Sequence, residues 1–221
     1  MSGDERREAI LKAAVPLFAQ KGLHAVKTRE LARAAGVSEA LLFKHFASKE
    51  ALYAAMQQHA HGAEERDPRA AAFLALAPST DKLMLGLHLI LSHMVQDTAP
   101  EQMVMPRLVL GSLLGDGGLA GLHFRRFERD WWPALAEALR AARKGGDALD
   151  VGAPDALLVW FFHHAGFAAR VLRLPGEIIA YPVSPQAFVL HLARFLLRGM
   201  GVRHEVVRAR YRPRALLKLL R

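Results

Sequence analysis

An all-helical fold is predicted by three features of the sequence. Apolar residues recur at helical spacing in segment after segment, capping residues stand just ahead of those segments, and glycines stand just behind them. Residues 5–21 place Ile10, Leu11, Ala14, Leu17 and Phe18 along one side, with Ser2 and Glu5 at capping-box spacing and Gly22 as a stop. Thr28 and Ser38 are N-cap residue types and predict two short helices. Gly36 sits between them, where the chain must reverse through backbone angles that suit glycine. Leu31, Ala35, Val37, Leu42 and Phe46 fall on an inward side, which leaves Glu39, Ala40, Leu41, Phe43 and His45 facing outward on the second helix. Ser48 then opens a further helix whose first turn carries Lys49.

The outward row has a chemical meaning. Leu41 and Phe43 make poor sense against water alone, and better sense in a major groove, where apolar side chains meet thymine methyls and His45 meets a base edge or phosphate. A helix start and the Lys49 ammonium together suit one phosphate. With a helix before the pair and one after it, the segment from about Arg6 to Met56 resembles the N-terminal domain of the TetR family of transcriptional regulators. The resemblance rests on a first helix and glycine, the Lys27-Thr28 start, Ala35-Gly36-Val37-Ser38, Phe43-Lys44-His45-Phe46, and Ser48-Lys49-Glu50. It implies phosphate contacts at Lys27, Thr28 and Lys49, and a groove-reading helix from Ser38 to Phe46 that presents Ser38, Glu39, Ala40, Leu41, Phe43, Lys44 and His45. Two positions depart from the usual pattern. Phe43 stands where the family commonly has Tyr and lacks the phosphate-bonding hydroxyl. Glu39 puts a carboxylate near a polyanion, where it would accept from cytosine N4, or repel wrong sequences while pairing with a base such as Lys44.

Beyond Met56 the chain changes character. Residues 59–77, with Gly62, Asp67-Pro68 and Pro78 in or beside them, read as the end of a connecting helix and a hinge. Ser79 or Thr80 opens a helix to about Gln96, with Leu83, Leu87, Ile90, Leu91 and Met94 inward. Helical patterns follow over 100–114 and 119–144, the latter kinked or restarted by Pro133 and ended by Gly145-Gly146. Two last helices are expected from Pro154 to about Leu174 and from Ser184 to about Met200. The first is apolar all round, so it needs cover on every side. A second copy of the chain supplies it most simply, through Leu158 and Phe162 joined by Phe188, Leu192 and Phe195 of the last helix. The resemblance, weaker here, implies the same four-helix dimer. It further implies a small-molecule effector in the helical body, whose binding alters the spacing of the two heads. Met84, His88, Met94, Met103, Phe124, Phe127, Trp131, Phe161 and His164 are the expected lining, which suits a mostly apolar ligand, although such residues at helical spacing are also ordinary core.

Composition narrows the field. The chain has 221 residues and a formal net charge of +9, with no cysteine, so disulfides, thiolate zinc sites and cysteine nucleophiles are excluded. The excess charge lies mainly after Gly201, in Arg203, Arg208, Arg210, Arg212, Arg214, Lys218 and Arg221, opposed there only by Glu205. Histidines His88 and His93 miss the spacing for a shared metal, and no phosphate-binding glycine loop, HExxH motif or nucleophile elbow is present. No metal, cofactor or catalytic site is expected. The apolar run 156–162 is far too short for a membrane span, and no signal peptide opens the chain. The expected organisation is a DNA-binding head over 1–56, an effector and dimerisation body over 57–200, and a basic tail over 201–221 that is solvated or forms a helical extension, or else contacts DNA, the partner subunit or a membrane surface. The expected function is a cytoplasmic homodimeric repressor on palindromic DNA, released by a small ligand. An effector-independent architectural or activating DNA binder is the alternative, and a helical enzyme or carrier the reading from another class.

Overall fold

The computed structural model describes residues 2–63, 68–96, 99–115, 117–174, 176 and 178–221. Asp67 of the expected hinge, and Asp116 between the helical patterns over 100–114 and 119–144, fall outside them. The described residues form helices and turns, with one isolated bridge pair. They divide into two compact units, residues 1–66 with 99–124, and residues 67–98 with 125–221. Residues 99–124, placed by the sequence reading in the effector body, pack with the N-terminal unit.

In the first unit, α1 (Gly3–Ala25) starts with the capping box foreseen at Ser2 and Glu5: each backbone N–H donates to the other's side chain, at 2.6 and 3.1 Å. Gly22 interrupts the helix at φ 74°. Its apolar side buries Ile10, Leu11, Ala14 and Phe18 against α2 (Thr28–Ala34), α4 (Lys49–Ala63) and α7 (Val104–Leu113). Phe18 meets Tyr53 edge-on at 5.0 Å. Between α2 and α3 (Glu39–His45) the chain reverses through Gly36 at φ 64°. The Gly36 N–H donates to Arg33 O and the Val37 N–H to Ala32 O, the pair of bonds that closes a Schellman turn. One expectation changes: Lys27, not Thr28, is the N-cap of α2, and Thr28 is its first helical residue. The Glu30 carboxylate receives the Lys27 N–H instead, at 3.1 Å.

The second unit is organised on α6 (Thr80–Gln96), against which α9 (Trp132–Lys144), α10 (Asp155–Val171), α11 (Pro185–Gly199) and α13 (Pro213–Leu216) all pack. Eleven of its residues are buried, which is why its sequence is apolar on more than one side. Even Lys82 is buried: its ammonium donates to the carbonyls of Leu74 and Leu76 and lies 5.4 Å from the Phe73 ring. These carbonyls belong to the end of α5 (Pro68–Ala75) and the turn after it, a helix where the sequence suggested only a hinge. Pro133 restarts the chain rather than kinking it, separating α8 (Gly118–Asp130) from α9.

The segment after Gly201 is not a solvated tail. α11 and α9 both end in Schellman turns, and the turns are joined side by side: Leu149 N–H donates to Gly201 O, Arg203 N–H donates to Asp147 O, and Ala148 bridges Val202. From there α12 (His204–Arg210) and α13 follow, ending in a 3-10 turn over Leu217–Leu220. Val207, Tyr211 and Leu216 enter the core. Arg210 is held by Asp81 and Asp147, and Arg203 by the Gly146 carbonyl.

Candidate nucleic-acid interface

The site is built on α3, a two-turn helix fixed at both ends. Ser38 accepts the Leu41 N–H at 3.1 Å and so satisfies a backbone donor left free at the helix start. At the other end Phe46 is buried, and Arg7 of α1 lies 4.3 Å over its ring while donating to the His45 carbonyl. Leu42 and Phe46 anchor the inner side. Glu39, Ala40, Phe43 and Lys44 are exposed on the outer side, while Leu41 and His45 are half-buried. Phe43 is 43% exposed, an aromatic ring left in water by a helix that had a buried side available for it. Such a ring suits contact with something outside the chain.

Two residues have partners that sequence reading did not foresee. The Thr28 hydroxyl donates to the Glu39 carboxylate at 2.7 Å, tying the start of α2 to the start of α3. Glu39 is therefore engaged by Thr28 and not by Lys44, and it helps set the angle between the two helices. Lys49 donates to the carbonyls of His24 and Val26, at 3.4 and 3.2 Å, where α1 ends. Its charge stands beside the start of α4, where the Ser48 hydroxyl accepts the Ala51 N–H. Lys27 is exposed nearby. Glu30 bonds Lys21 at 2.6 Å, and this ion pair with the Lys27 N–H holds its carboxyl below the usual range. Lys27, Lys44 and Lys49 thus offer cations around the outer side of α3, with Glu30 turned toward Lys21.

The other expected sites are distributed differently. Met84, Met94 and Phe127 are packed in the core of the second unit, with Trp131 stacked on Phe73 at 5.0 Å. Met103 and Phe124 belong to the first unit, and Phe161 and His164 are exposed. These residues therefore do not line one chamber within the second unit. Of them, only His88 lines a cleft of about 760 Å³ between α6, α11 and the C-terminal segment. For the dimer face, Leu158 and Phe162 are buried at 5% and 0% exposure inside their own unit and cannot meet a second copy. Their neighbours Leu157 and Phe161 are the exposed pair, at 42% and 54%. On α11, Phe195 is exposed at 66%, while Phe188 and Leu192 are half-buried. A helix apolar all round gives no periodic signal to say which side is which. Among the described residues no group of histidines and carboxylates is placed to hold a metal, and no helix is long and apolar enough to cross a membrane.

An exposed short helix set by a Schellman turn behind a capped partner, on a three-helix base, defines a helix-turn-helix of the kind DNA-binding proteins use. The comparisons agree. Residues 10–56 match the family model of bacterial regulatory proteins, tetR family. The transcriptional activator FasR of Mycolicibacterium smegmatis is 47% identical over 57 residues, 25% of this chain and 26% of that one. The match spans about a quarter of this curated relative. Beyond the head the likeness is one of fold. A TetR-like transcriptional regulator from Rhodococcus sp. RHA1 superposes with a TM-score of 0.63 at 20% identity, over 90% of this chain and 98% of that one. AibR, solved with isovaleryl coenzyme A and operator DNA, superposes with a TM-score of 0.63 at 16% identity, over 86% and 97%. The head over residues 10–56 is thus similar to that of tetR-family bacterial regulatory proteins, and the rest of the chain shares their fold.

Proposed function

We propose that this regulator is a homodimeric repressor that binds a partly palindromic operator and is released by a small, mostly apolar ligand. The observation that carries the reading is the outer face of α3, where Phe43 stands in solvent beside Lys44. Ala40, Leu41, Phe43 and His45 read base edges and methyl groups, while Lys27, Thr28, Ser38, Lys44 and Lys49 hold phosphates. Glu39 of α3 acts through Thr28 of α2, by setting the angle between the two helices. Residues 1–56 form the reading head and the remainder of the chain the responding and pairing body. The protein works in the cytoplasm, on double-stranded DNA.

Pairing is supported by two apolar strips, exposed Leu157 and Phe161 on α10, and exposed Phe195 beside half-buried Leu192 on α11. Two heads on one two-fold axis would read two half-sites, and a palindrome follows from that symmetry. A small-molecule ligand beside DNA has a precedent in the fold neighbour AibR, which was solved with both isovaleryl coenzyme A and operator DNA. Selection of bound sequences from a random duplex pool, with and without cell extract, tests the whole reading. Enrichment of an inverted repeat that extract abolishes is the expected result, and enrichment of single unpaired half-sites defeats the dimer. The sign of regulation has a second reading, because FasR is an activator. A promoter fused to a reporter decides it: deletion of the regulator raises expression for a repressor and lowers it for an activator.

A further inference from the structure

We infer that the cleft between α6, α11 and the C-terminal segment binds a small amphipathic anion, a carboxylate or phosphate carried on a short apolar chain. The cleft has a volume of about 760 Å³, within the range of small-molecule sites. Its cations come from one stretch of chain: Arg212, Arg214 and Lys218. Among the described residues no carboxylate lines it. Leu190, Pro213 and Ala215 supply apolar wall beside the charges.

The arrangement differs from an ordinary solvated basic end in two respects. First, the basic residues of this segment divide by role. Arg203 is spent on the Gly146 carbonyl and Arg210 on Asp81 and Asp147. Arg212 uses its Nε on the Ala209 carbonyl, and among the described residues no acid pairs with Arg212, Arg214 or Lys218. Second, the segment is held in place. Val207, Tyr211 and Leu216 are buried on its inner side, and the Tyr211 hydroxyl sits 3.0 Å from His88 Nδ1 beside the cleft. Cations fixed at one rim without a counter-charge repel one another, and an anion in the cleft relieves that repulsion while covering the apolar wall. Burial keeps His88 below its ordinary range, so it contributes a polar neutral group and no fourth charge.

Calorimetric titration of the full chain without DNA tests the site, with octanoate, 1-octanol and inorganic phosphate as probes. Octanoate is expected to saturate one site per chain and to bind at least tenfold more tightly than either of the others. The double variant Arg214→Gln, Lys218→Gln changes exposed side chains only, so its thermal unfolding should match the parent while octanoate affinity falls at least tenfold. Equal affinity for octanol removes the anion, and equal affinity for phosphate removes the apolar chain; either result overturns the inference. So does a double variant that binds octanoate as the parent does, whether or not it loses affinity for duplex DNA or for phosphatidylglycerol vesicles. Because DNA is absent from the titration, failure of the repressor reading leaves its result intact.

Discussion

Single side chains in the head combine holding and reading, and substitutions should separate the two. Lys49 caps the end of α1 through two carbonyls while standing beside the start of α4. Lys49→Ala should therefore lower affinity for all duplex sequences alike and flatten its salt dependence, and also cost about 1 kcal/mol of folding stability. Fluorescence anisotropy over a salt series and urea unfolding read the two effects. A phosphate clamp without a structural role would change only the first. Phe43→Ala should do the reverse at the stability level: the ring is exposed in the free protein, so unfolding should hardly move while preference among operator sequences changes. In the second unit His88 makes stability depend on pH. Its burial lowers the folded-state pKa below the unfolded value, so protonation favours the unfolded chain. Stability should fall as pH drops through the unfolded value, about 6.5, and keep falling until the lowered folded value is passed. The difference in unfolding free energy between parent and His88→Gln should carry that slope.

At the scale of elements, the joined ends of α9 and α11 are the most exacting part of the fold. Gly201 adopts φ 95°, and a Cβ there would press on the Leu149 carbonyl oxygen and the Val151 side chain. Gly201→Ala should therefore destabilise by about 2 kcal/mol or more, from unfavourable backbone angles and overpacking together, seen as a lowered thermal midpoint. Gly86 sets a second close crossing, where a Cβ would lie 2.6 Å from Leu135 Cδ2 and 2.7 Å from Phe73 Cζ. The helices around these points were legible where one side is apolar and a cap or glycine marks the end, as for α1, α3, α6 and α11. The capping residue of α2 was misplaced by one position because Thr28 is a good cap, and its hydroxyl turned out to serve Glu39. The anchoring of the C-terminal helices in the core was hidden for a different reason. Their arginines dominate the composition, while Val207, Tyr211 and Leu216 are spaced across two short helices and a turn and give no sustained period. The effector lining was illegible in principle, since Met84 and Phe127 look the same in sequence whether they fill a core or face a void.

For the whole molecule, as a proposed dimer, the decisive quantity is the coupling between two copies. A single α3 offers few base contacts, and a dimer raises operator affinity because the second head binds at the effective concentration set by the first. The strips on α10 and α11 leave Phe161 and Phe195 more than half exposed, and full burial of such a side chain contributes about 1.5–3 kcal/mol. In the proposed dimer such side chains on two copies would supply part of the free energy that holds the pair together. A carboxylate at the centre of that contact would have to be desolvated without a partner, which costs several kcal/mol and reverses the balance. Phe195→Asp should therefore yield a folded monomer by sedimentation equilibrium, since the side chain is solvated within one chain and the substitution leaves the core untouched. Operator affinity should fall at least a hundredfold, with half-site affinity unchanged, because the reading face is intact and only the effective concentration is lost. A variant that stays dimeric would place the pairing surface elsewhere on the chain.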